Sequence, residues 1–194
     1  MIILSCFVLV TNSLVFYSFG IFLIPVTTEF NWDRGALSAC LSINMVTAGF
    51  LGILAGKLSD KYGPRLLVTA GGIFSGAGFI FLAHISSLWQ AYLIWGILMA
   101  LGGSESYIPI MSTIPKWFNE KRGIAIGLTA TGFGLGGIVS PIIAQWLISG
   151  YGWRQAYITL GILVMIVVIP LGQLMKKNPQ QMGLKPYGEM GDSV

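Results

Sequence analysis

One carboxylic acid, Glu105, lies well inside an apolar stretch of this sequence. A carboxylate in a hydrocarbon environment is costly, so it is expected to face a cavity or a charged partner, and such residues usually serve function. Three functional roles are open for Glu105: a proton carrier, a substrate contact, or the partner of a cation elsewhere in the protein. A purely structural acid, held by a pair or a hydrogen bond, is the alternative.

Two tyrosines in the apolar stretches are further candidates for substrate contact. Tyr107 follows Glu105 by two residues and therefore projects about 200° away from it around a helix. Both side chains point into one cavity only if Pro109 distorts the turn between them. Tyr17 is the second aromatic candidate. Polar residues in membrane spans often only form hydrogen bonds to neighbouring helices. Three such residues are therefore weaker candidates: Asn12, Asn44 and Gln145.

The elements that must position these residues are set by composition. Of the 194 residues, 55% are hydrophobic and 9% are charged, against about 25% charged in an ordinary soluble domain. This composition excludes a soluble globular enzyme, a disordered chain and a nucleic-acid-binding protein. The eleven Lys and Arg residues form no basic stripe that would bind a polyanion. The environment indicated is the lipid bilayer.

Six apolar runs are long enough to cross a membrane, which takes about 20 residues in a helix. They are Ile2–Thr27, Leu37–Leu58, Leu66–Ala83, Leu88–Ile114, Gly123–Ser149 and Ala156–Met175. The alternating ten-residue strands of a β-barrel are not seen. The sequence therefore predicts an all-α membrane protein with six transmembrane helices, and it indicates neither a metal site nor a cofactor.

Basic residues predict the orientation of these helices. Nine of the eleven lie on one side of the predicted membrane: Lys57, Lys61, Arg65, Lys116, Lys121, Arg122, Lys176, Lys177 and Lys185. Only Arg34 and Arg154 lie on the other side. Because positive loops stay in the cytoplasm, both termini are predicted to be cytoplasmic, in a multi-pass protein of the plasma (inner) membrane.

An internal repeat divides the six helices into two groups of three. Phe30-Asn31-x-x-Arg34-Gly35 recurs 88 residues later, and Tyr62-Gly63-x-Arg65 recurs 89 residues later as Tyr151-Gly152-x-Arg154. Three spans per unit force the second copy to enter the membrane from the opposite side. Inverted three-helix repeats are typical of secondary transporters. We therefore predict a bundle over 1–176, with repeats of about 1–86 and 87–176, and a cytoplasmic tail over 177–194.

The loop between the second and third helices, GKLSDKYGPR at 56–65, resembles the G-x-L-x-D-x-x-G-x-R motif of the major facilitator superfamily, at the family's own position. Other stretches are similar to its monocarboxylate-porter and oxalate/formate-antiporter branch: 20–34, W-F-x-x-K-R-G at 117–123, Y-G-W-R at 151–154, and N-P-x-x-M-G-L-x-P at 178–186. The resemblance implies the N-terminal six-helix half of a twelve-helix fold, with the second half, or a second copy of this chain, as the missing partner.

The resemblance also implies roles for residues of the loop and the fifth helix. Asp60 and Arg65 would be gating residues that latch the two halves together on the cytoplasmic side. The alternative is a topology-fixing loop in which Asp60 pairs locally with a neighbouring basic residue. Gly132, Gly136 and Pro141 would serve helix packing, because small residues let helix backbones approach closely and proline favours a bend.

The function that follows is secondary active transport by alternating access. The resemblance implies a small organic anion, a mono- or dicarboxylate, moved by proton symport or anion exchange. No Lys or Arg lies deep in the six runs, so the anion's cation lies in the absent half, or Glu105 is protonated, or the substrate is not an anion.

Two other classes of protein compete with this interpretation. A non-transporting membrane subunit, or a receptor derived from a transporter half, is the alternative function. An enzyme is not predicted, because a membrane serine protease built on Ser104 would need a histidine in the sixth run, and that run has none.

Overall fold

The computed structural model describes residues 2–182 and 188, except for the side chains of residues 104–106 and 181–182. A π-helical segment, Tyr92–Leu98, lies between two of the helices, and a short 3-10 helix, Pro179–Met182, follows the last one. The α-helices are α1 (Ile2–Tyr17), α2 (Phe19–Phe30), α3 (Arg34–Tyr62), α4 (Pro64–Leu82), α5 (Leu88–Ala91), α6 (Met99–Trp117) and α7 (Arg122–Leu174).

The helices make six membrane-spanning segments. Helices α1 and α2 form one apolar segment, Ile2–Phe30, and α5, the π segment and α6 form another, Leu88–Trp117. Helix α7 has 53 residues, which at 1.5 Å per residue is about 80 Å, more than twice the ~30 Å of hydrocarbon. Gly152 has non-helical dihedral angles and divides it into two arms, 122–151 and 153–174. The predicted all-α bundle of six spans is confirmed.

Two glycines begin the third and sixth spans in the same backbone conformation. Gly63 has φ 85° and ψ 169°, and Gly152 has φ 79° and ψ 162°. This region of dihedral space is essentially restricted to glycine. The two positions are 89 residues apart, as in the sequence repeat, so the corresponding motifs make the corresponding turns. The limits of the two repeats stay a prediction.

Close helix crossings hold the bundle together. Helix α1 packs along the first arm of α7, while α4 packs against the second arm and against α6. Where α4 crosses the second arm, a Cβ atom on Gly161 would lie 2.7 Å from the Gly76 carbonyl oxygen, and one on Gly76 would lie 2.9 Å from the Gly161 oxygen. Two glycines facing each other therefore allow backbone contact, which is how helices associate in lipid.

Aromatic side chains fill the core between the first, third, fourth and sixth spans. The Phe22 and Tyr157 rings stack with centroids 3.7 Å apart, and Phe79 and Trp95 close the cluster around them. Large apolar side chains also cover the outside of the bundle, for example Phe50 and Ile166, which are 71% and 67% exposed. A surface with this much exposed apolar area would be unfavourable in water, whereas it is stable in contact with the hydrocarbon of a lipid bilayer.

Candidate functional site

A cavity of about 370 Å³ lies between four spans at the middle of their length. Phe16, in its wall, is the midpoint of the segment Ile2–Phe30, and Ala48, also in its wall, is the midpoint of α3. Gly103 lines the cavity from the middle of Leu88–Trp117, and Phe133 lines it from the first arm of α7. The cavity is therefore at mid-depth, surrounded by the first, second, fourth and fifth spans.

Most of the cavity wall is apolar. Two phenylalanines and two methionines are among its larger side chains, and Asn12, Asn44 and Tyr107 bring polar groups. The Asn44 amide donates a 2.8 Å hydrogen bond to the Trp95 carbonyl oxygen, so this donor is already used within the protein. The apolar lining residues are Val15, Phe16, Met45, Ala48, Met99, Ala100, Ile108 and Phe133.

Phe133 connects the cavity to both predicted tyrosines. Tyr107 is in the wall, with its ring centroid 5.8 Å from that of Phe133. Tyr17 lies one layer behind, with its ring 5.5 Å from Phe133 and 5.5 Å from Phe16. The prediction for Glu105 concerns a side chain outside the described part of the structure.

The weaker polar candidates divide into two groups. Asn12 and Asn44 both line the cavity, although the sequence ranked them below the tyrosines. Gln145 lies away from it, near one end of the bundle, where its amide donates to Ser149 Oγ at 3.2 Å. The signal that could have ranked Asn12 and Asn44 higher is their position near the middle of two different spans.

The predicted gating residues lie at the end of the bundle formed by the α3–α4 turn, the end of α6 and residues 175–182, here called the lysine-rich end. The Asp60 carboxylate accepts from Lys116 Nζ at 3.0 Å, and the Lys177 ammonium donates to the Asp60 carbonyl oxygen. Arg65 Nε donates to Gln173 Oε1 at 2.7 Å. The pairing of Asp60 with a basic residue of its own loop is wrong, because the described ion pair of Asp60 is with Lys116 of α6.

A second polar cluster, at the opposite end, was not predicted. The Glu29 carboxylate, at the end of the first span, forms an ion pair with Arg154 and accepts from Trp153 Nε1 at 2.5 Å. The Arg154 guanidinium also lies 4.2 Å from the centroid of the Trp153 ring. The cluster therefore joins the first span to the sixth. Both partners belong to motifs visible in the sequence, but nothing in the spacing pairs them.

The glycines of the fifth span face the first. A Cβ atom on Gly132 would lie 2.6 Å from the Cys6 carbonyl oxygen, and one on Gly136 would lie 2.6 Å from the Val10 carbonyl oxygen. Their neighbour Gly134 faces outward, since a Cβ atom there would meet nothing within 4 Å. Pro141 is partly buried further along the same arm, beside Ile142 and Trp146. No group of His, Cys, Asp and Glu side chains in the described residues is arranged to hold a metal ion.

Comparison with known proteins decides the family. The sequence model of the Major Facilitator Superfamily matches residues 5–189, nearly the whole chain. The chain belongs to the major facilitator superfamily. It is a multi-pass integral membrane protein, as the apolar helices indicate.

The relatives of this major facilitator chain are named as transporters. Over 171 residues it is 30% identical to monocarboxylate transporter 13 of Rattus norvegicus, covering 87% of this chain and 40% of that protein. It is 29% identical, over 165 residues, to the uncharacterized MFS-type transporter YhjX of Escherichia coli strain K12, covering 78% and 41%. These names confirm that the family is one of transporters and not of enzymes.

The fold comparison agrees. The chain superposes on the inward-open xylose transporter XylE of E. coli with a TM-score of 0.68 at 16% identity, covering 95% of this chain and 50% of that one. At this identity the similarity concerns the fold alone. The chain spans about 40% of the length of the first curated relatives and half of the XylE chain.

Proposed function

We propose that this chain is the N-terminal six-helix half of a secondary active transporter that works by alternating access on a small organic anion. The anion is a mono- or dicarboxylate, moved by proton symport or by exchange for another anion. The observation that carries the proposal is the mid-depth cavity between the spans of the two predicted repeats. Transporters built from inverted repeats bind substrate at this depth and at this interface.

A second six-helix unit completes the site in this proposal. The relatives extend well beyond the length matched here, and no Lys or Arg lines the cavity among the described residues. An anion held there needs a positive charge, and a second half, or a second copy of the chain, is where we place it. Asp60 and Arg65 then act at the lysine-rich end as gating residues between the two units.

Transport is tested by reconstitution. The complete protein, containing this chain and whatever its gene encodes beyond it, is placed in liposomes, and uptake of labelled monocarboxylates and dicarboxylates is measured. Uptake driven by an inward proton gradient supports symport, and uptake that needs an anion inside the vesicle supports exchange. No uptake of either class in either mode contradicts the proposed substrate. An immunoblot of the native membrane with an antibody to this chain shows whether one polypeptide carries both halves.

We also propose that the lysine-rich end faces the cytoplasm, in the plasma membrane. Tyr62 and Tyr151 occupy equivalent positions in the two repeat motifs and are 57% and 66% exposed, so they make a matched pair. In a protein without Cys6 and Cys40, a membrane-impermeant maleimide added to intact cells should label Tyr151→Cys and leave Tyr62→Cys unlabelled. Labelling of Tyr62→Cys alone reverses the orientation.

A further inference from the structure

One backbone carbonyl of the fourth span falls where the hydrogen-bond spacing of the helix changes. The π-helical segment, Tyr92–Leu98, ends with the Met99 amide bonded to the Ile94 carbonyl oxygen, five residues back. The next amide, that of Ala100, belongs to α6, where each amide bonds the carbonyl oxygen four residues back. The Trp95 carbonyl oxygen lies between these two acceptors, so the change of spacing passes over it. A backbone carbonyl inside a membrane span needs a partner, and this one must come from another helix.

The second span supplies that partner. The Asn44 amide donates a 2.8 Å hydrogen bond to the Trp95 carbonyl oxygen, although the two residues are 51 positions apart. Close packing brings the groups together, because a Cβ atom on Gly96 would lie 2.6 Å from Ile43 Cγ2 of α3. The Trp95 side chain is itself buried in the bundle. The π-helical segment and the second span are therefore joined at the one carbonyl that the change of spacing releases.

The form of this segment decides which later residues of the fourth span face the cavity. The wider π turn absorbs one extra residue, and with that turn in place Gly103 and Tyr107 line the cavity. If the same seven residues formed an α-helix, the Met99 amide would bond the Trp95 oxygen, and every later side chain would be displaced by one position. The Asn44 amide and the α-helical form therefore compete for the same oxygen.

We propose that Asn44 is a positioning residue, which maintains the π-helical segment by occupying the Trp95 carbonyl oxygen and so holds Tyr107 in the cavity wall. It acts through the backbone of another span and needs no contact with a transported molecule. This inference goes beyond the proposed function, because it concerns the helical form of the fourth span and holds whatever the substrate is. Without the Asn44 amide, the segment takes the α-helical form and moves Tyr107 away from Phe133.

Deletion of one residue tests this competition. In the complete protein lacking Ile97, which is 42% exposed, the Ala100 amide comes four residues after Trp95 and bonds its oxygen in an α-helix. Asn44→Leu should therefore lower the melting temperature of the protein with all seven residues by about 2–10 °C. The same substitution should not lower the melting temperature of the protein lacking Ile97. An equal loss in the two backgrounds, or no loss in either, overturns the inference.

Cross-linking tests the position of Tyr107. The rings of Tyr107 and Phe133 have centroids 5.8 Å apart, so a short bifunctional thiol reagent should join Tyr107→Cys to Phe133→Cys in a complete protein without other cysteines. Asn44→Leu should reduce the joined fraction to near background, and removal of Ile97 from that variant should restore it. Shortening a helix does not repair a loss of packing. Cross-linking unchanged by Asn44→Leu overturns the positioning role, and so does its absence from the parent protein.

The matched control removes another hydrogen bond between the same two spans. The Tyr92 hydroxyl donates to the Ala36 carbonyl oxygen at 2.9 Å. Ala36 lies in α3, where the Cys40 amide, four residues on, bonds the same oxygen. Tyr92→Phe therefore leaves no carbonyl without a donor and should leave cross-linking unchanged. A loss of cross-linking as large as that in Asn44→Leu would show that any weakened contact between these spans moves Tyr107, which overturns the inference.

Variants that fail to fold also give an answer. If Asn44→Leu does not fold with all seven residues, it should fold once Ile97 is removed, and failure in both backgrounds overturns the inference. If the protein lacking Ile97 does not itself fold, cross-linking in Asn44→Leu and Tyr92→Phe decides the matter. Neither measurement uses a substrate, so failure of the proposed transport function leaves both results interpretable.

Discussion

Adding one methyl group at Gly132 should separate the first and fifth spans. The added carbon would lie 2.6 Å from the Cys6 carbonyl oxygen and 3.0 Å from the Cys6 Cα. Carbon and oxygen atoms of neighbouring helices approach to about 3.3 Å, so α1 must move away by roughly 0.7 Å. The obstacle is backbone, which cannot rotate aside as a side chain could. Overpacking of this kind typically costs about 1–3 kcal/mol.

The matched control lies two residues away. Gly134 is on the same arm of α7, and a Cβ atom there meets nothing within 4 Å. Gly134→Ala should leave stability unchanged or raise it by up to about 1 kcal/mol, since alanine favours the helix. Neither glycine lines the cavity, so differences in substrate binding do not confuse the comparison.

The assay is thermal unfolding of the purified protein in detergent. For a chain of this size, about 2–4 °C is lost per kcal/mol, so Gly132→Ala should lower the melting temperature by about 2–12 °C while Gly134→Ala does not lower it. Equal melting temperatures in the two variants would falsify the crossing geometry. A larger loss in Gly134→Ala would mean that this outward face of the fifth span is packed as well, as it would be against a second six-helix unit.

Three further predictions follow from the turns, the ion pair and the intramembrane acid. Gly63→Ala and Gly152→Ala should each lower the unfolding free energy by about 1–3 kcal/mol, because their dihedral angles are strained for alanine; melting temperatures equal to wild type would contradict this. Asp60→Asn and Lys116→Met should show a coupling energy below about 1 kcal/mol in a double-mutant cycle of unfolding, because the Asp60 side chain is 71% exposed. If Asp60 is a gating residue, Asp60→Asn nevertheless slows transport severely. Transport at the wild-type rate in Asp60→Asn excludes the gating role. Glu105→Gln should abolish proton-driven uptake and leave exchange intact, and an unchanged pH dependence of uptake excludes Glu105 as the proton carrier.

The six spans were predictable because hydrophobic length is nearly sufficient to define a membrane helix. The repeat motifs that contain Gly63 and Gly152 lie at two of the turns between them. Details that depend on packing were not predictable. The interruption at Ser18, between α1 and α2, has no charge or proline to mark it, and the apolar residues of Tyr92–Leu98 give no sign of a π-helical segment.

Candidate site residues were harder to predict because their roles depend on distant parts of the chain. Lys116 reaches Asp60 across 56 residues, and Arg154 reaches Glu29 across 125. Sequence proximity favoured a pairing within the loop, which the bundle does not adopt. Asn12 was undervalued for a related reason: a polar residue in a span usually bonds a neighbouring helix, and only the structure shows which face of α1 meets the cavity.

The π-helical segment fixes the rotational phase of everything that follows it in the fourth span. Its hydrogen bonds reach back five residues, as the Met99 amide does to the Ile94 carbonyl oxygen. Deleting one residue from Tyr92–Leu98 would allow an ordinary α-helix still long enough to cross the bilayer. That helix would keep the rest of the span in nearly its present rotation, because the wider π turn already absorbs one extra residue. An α-helix that kept all seven residues would instead turn the rest of the span by about 100° and carry Tyr107 away from Phe133. Substitutions that convert these seven residues to ordinary α-helix are therefore silent for membrane topology and decisive for which side chains the cavity receives.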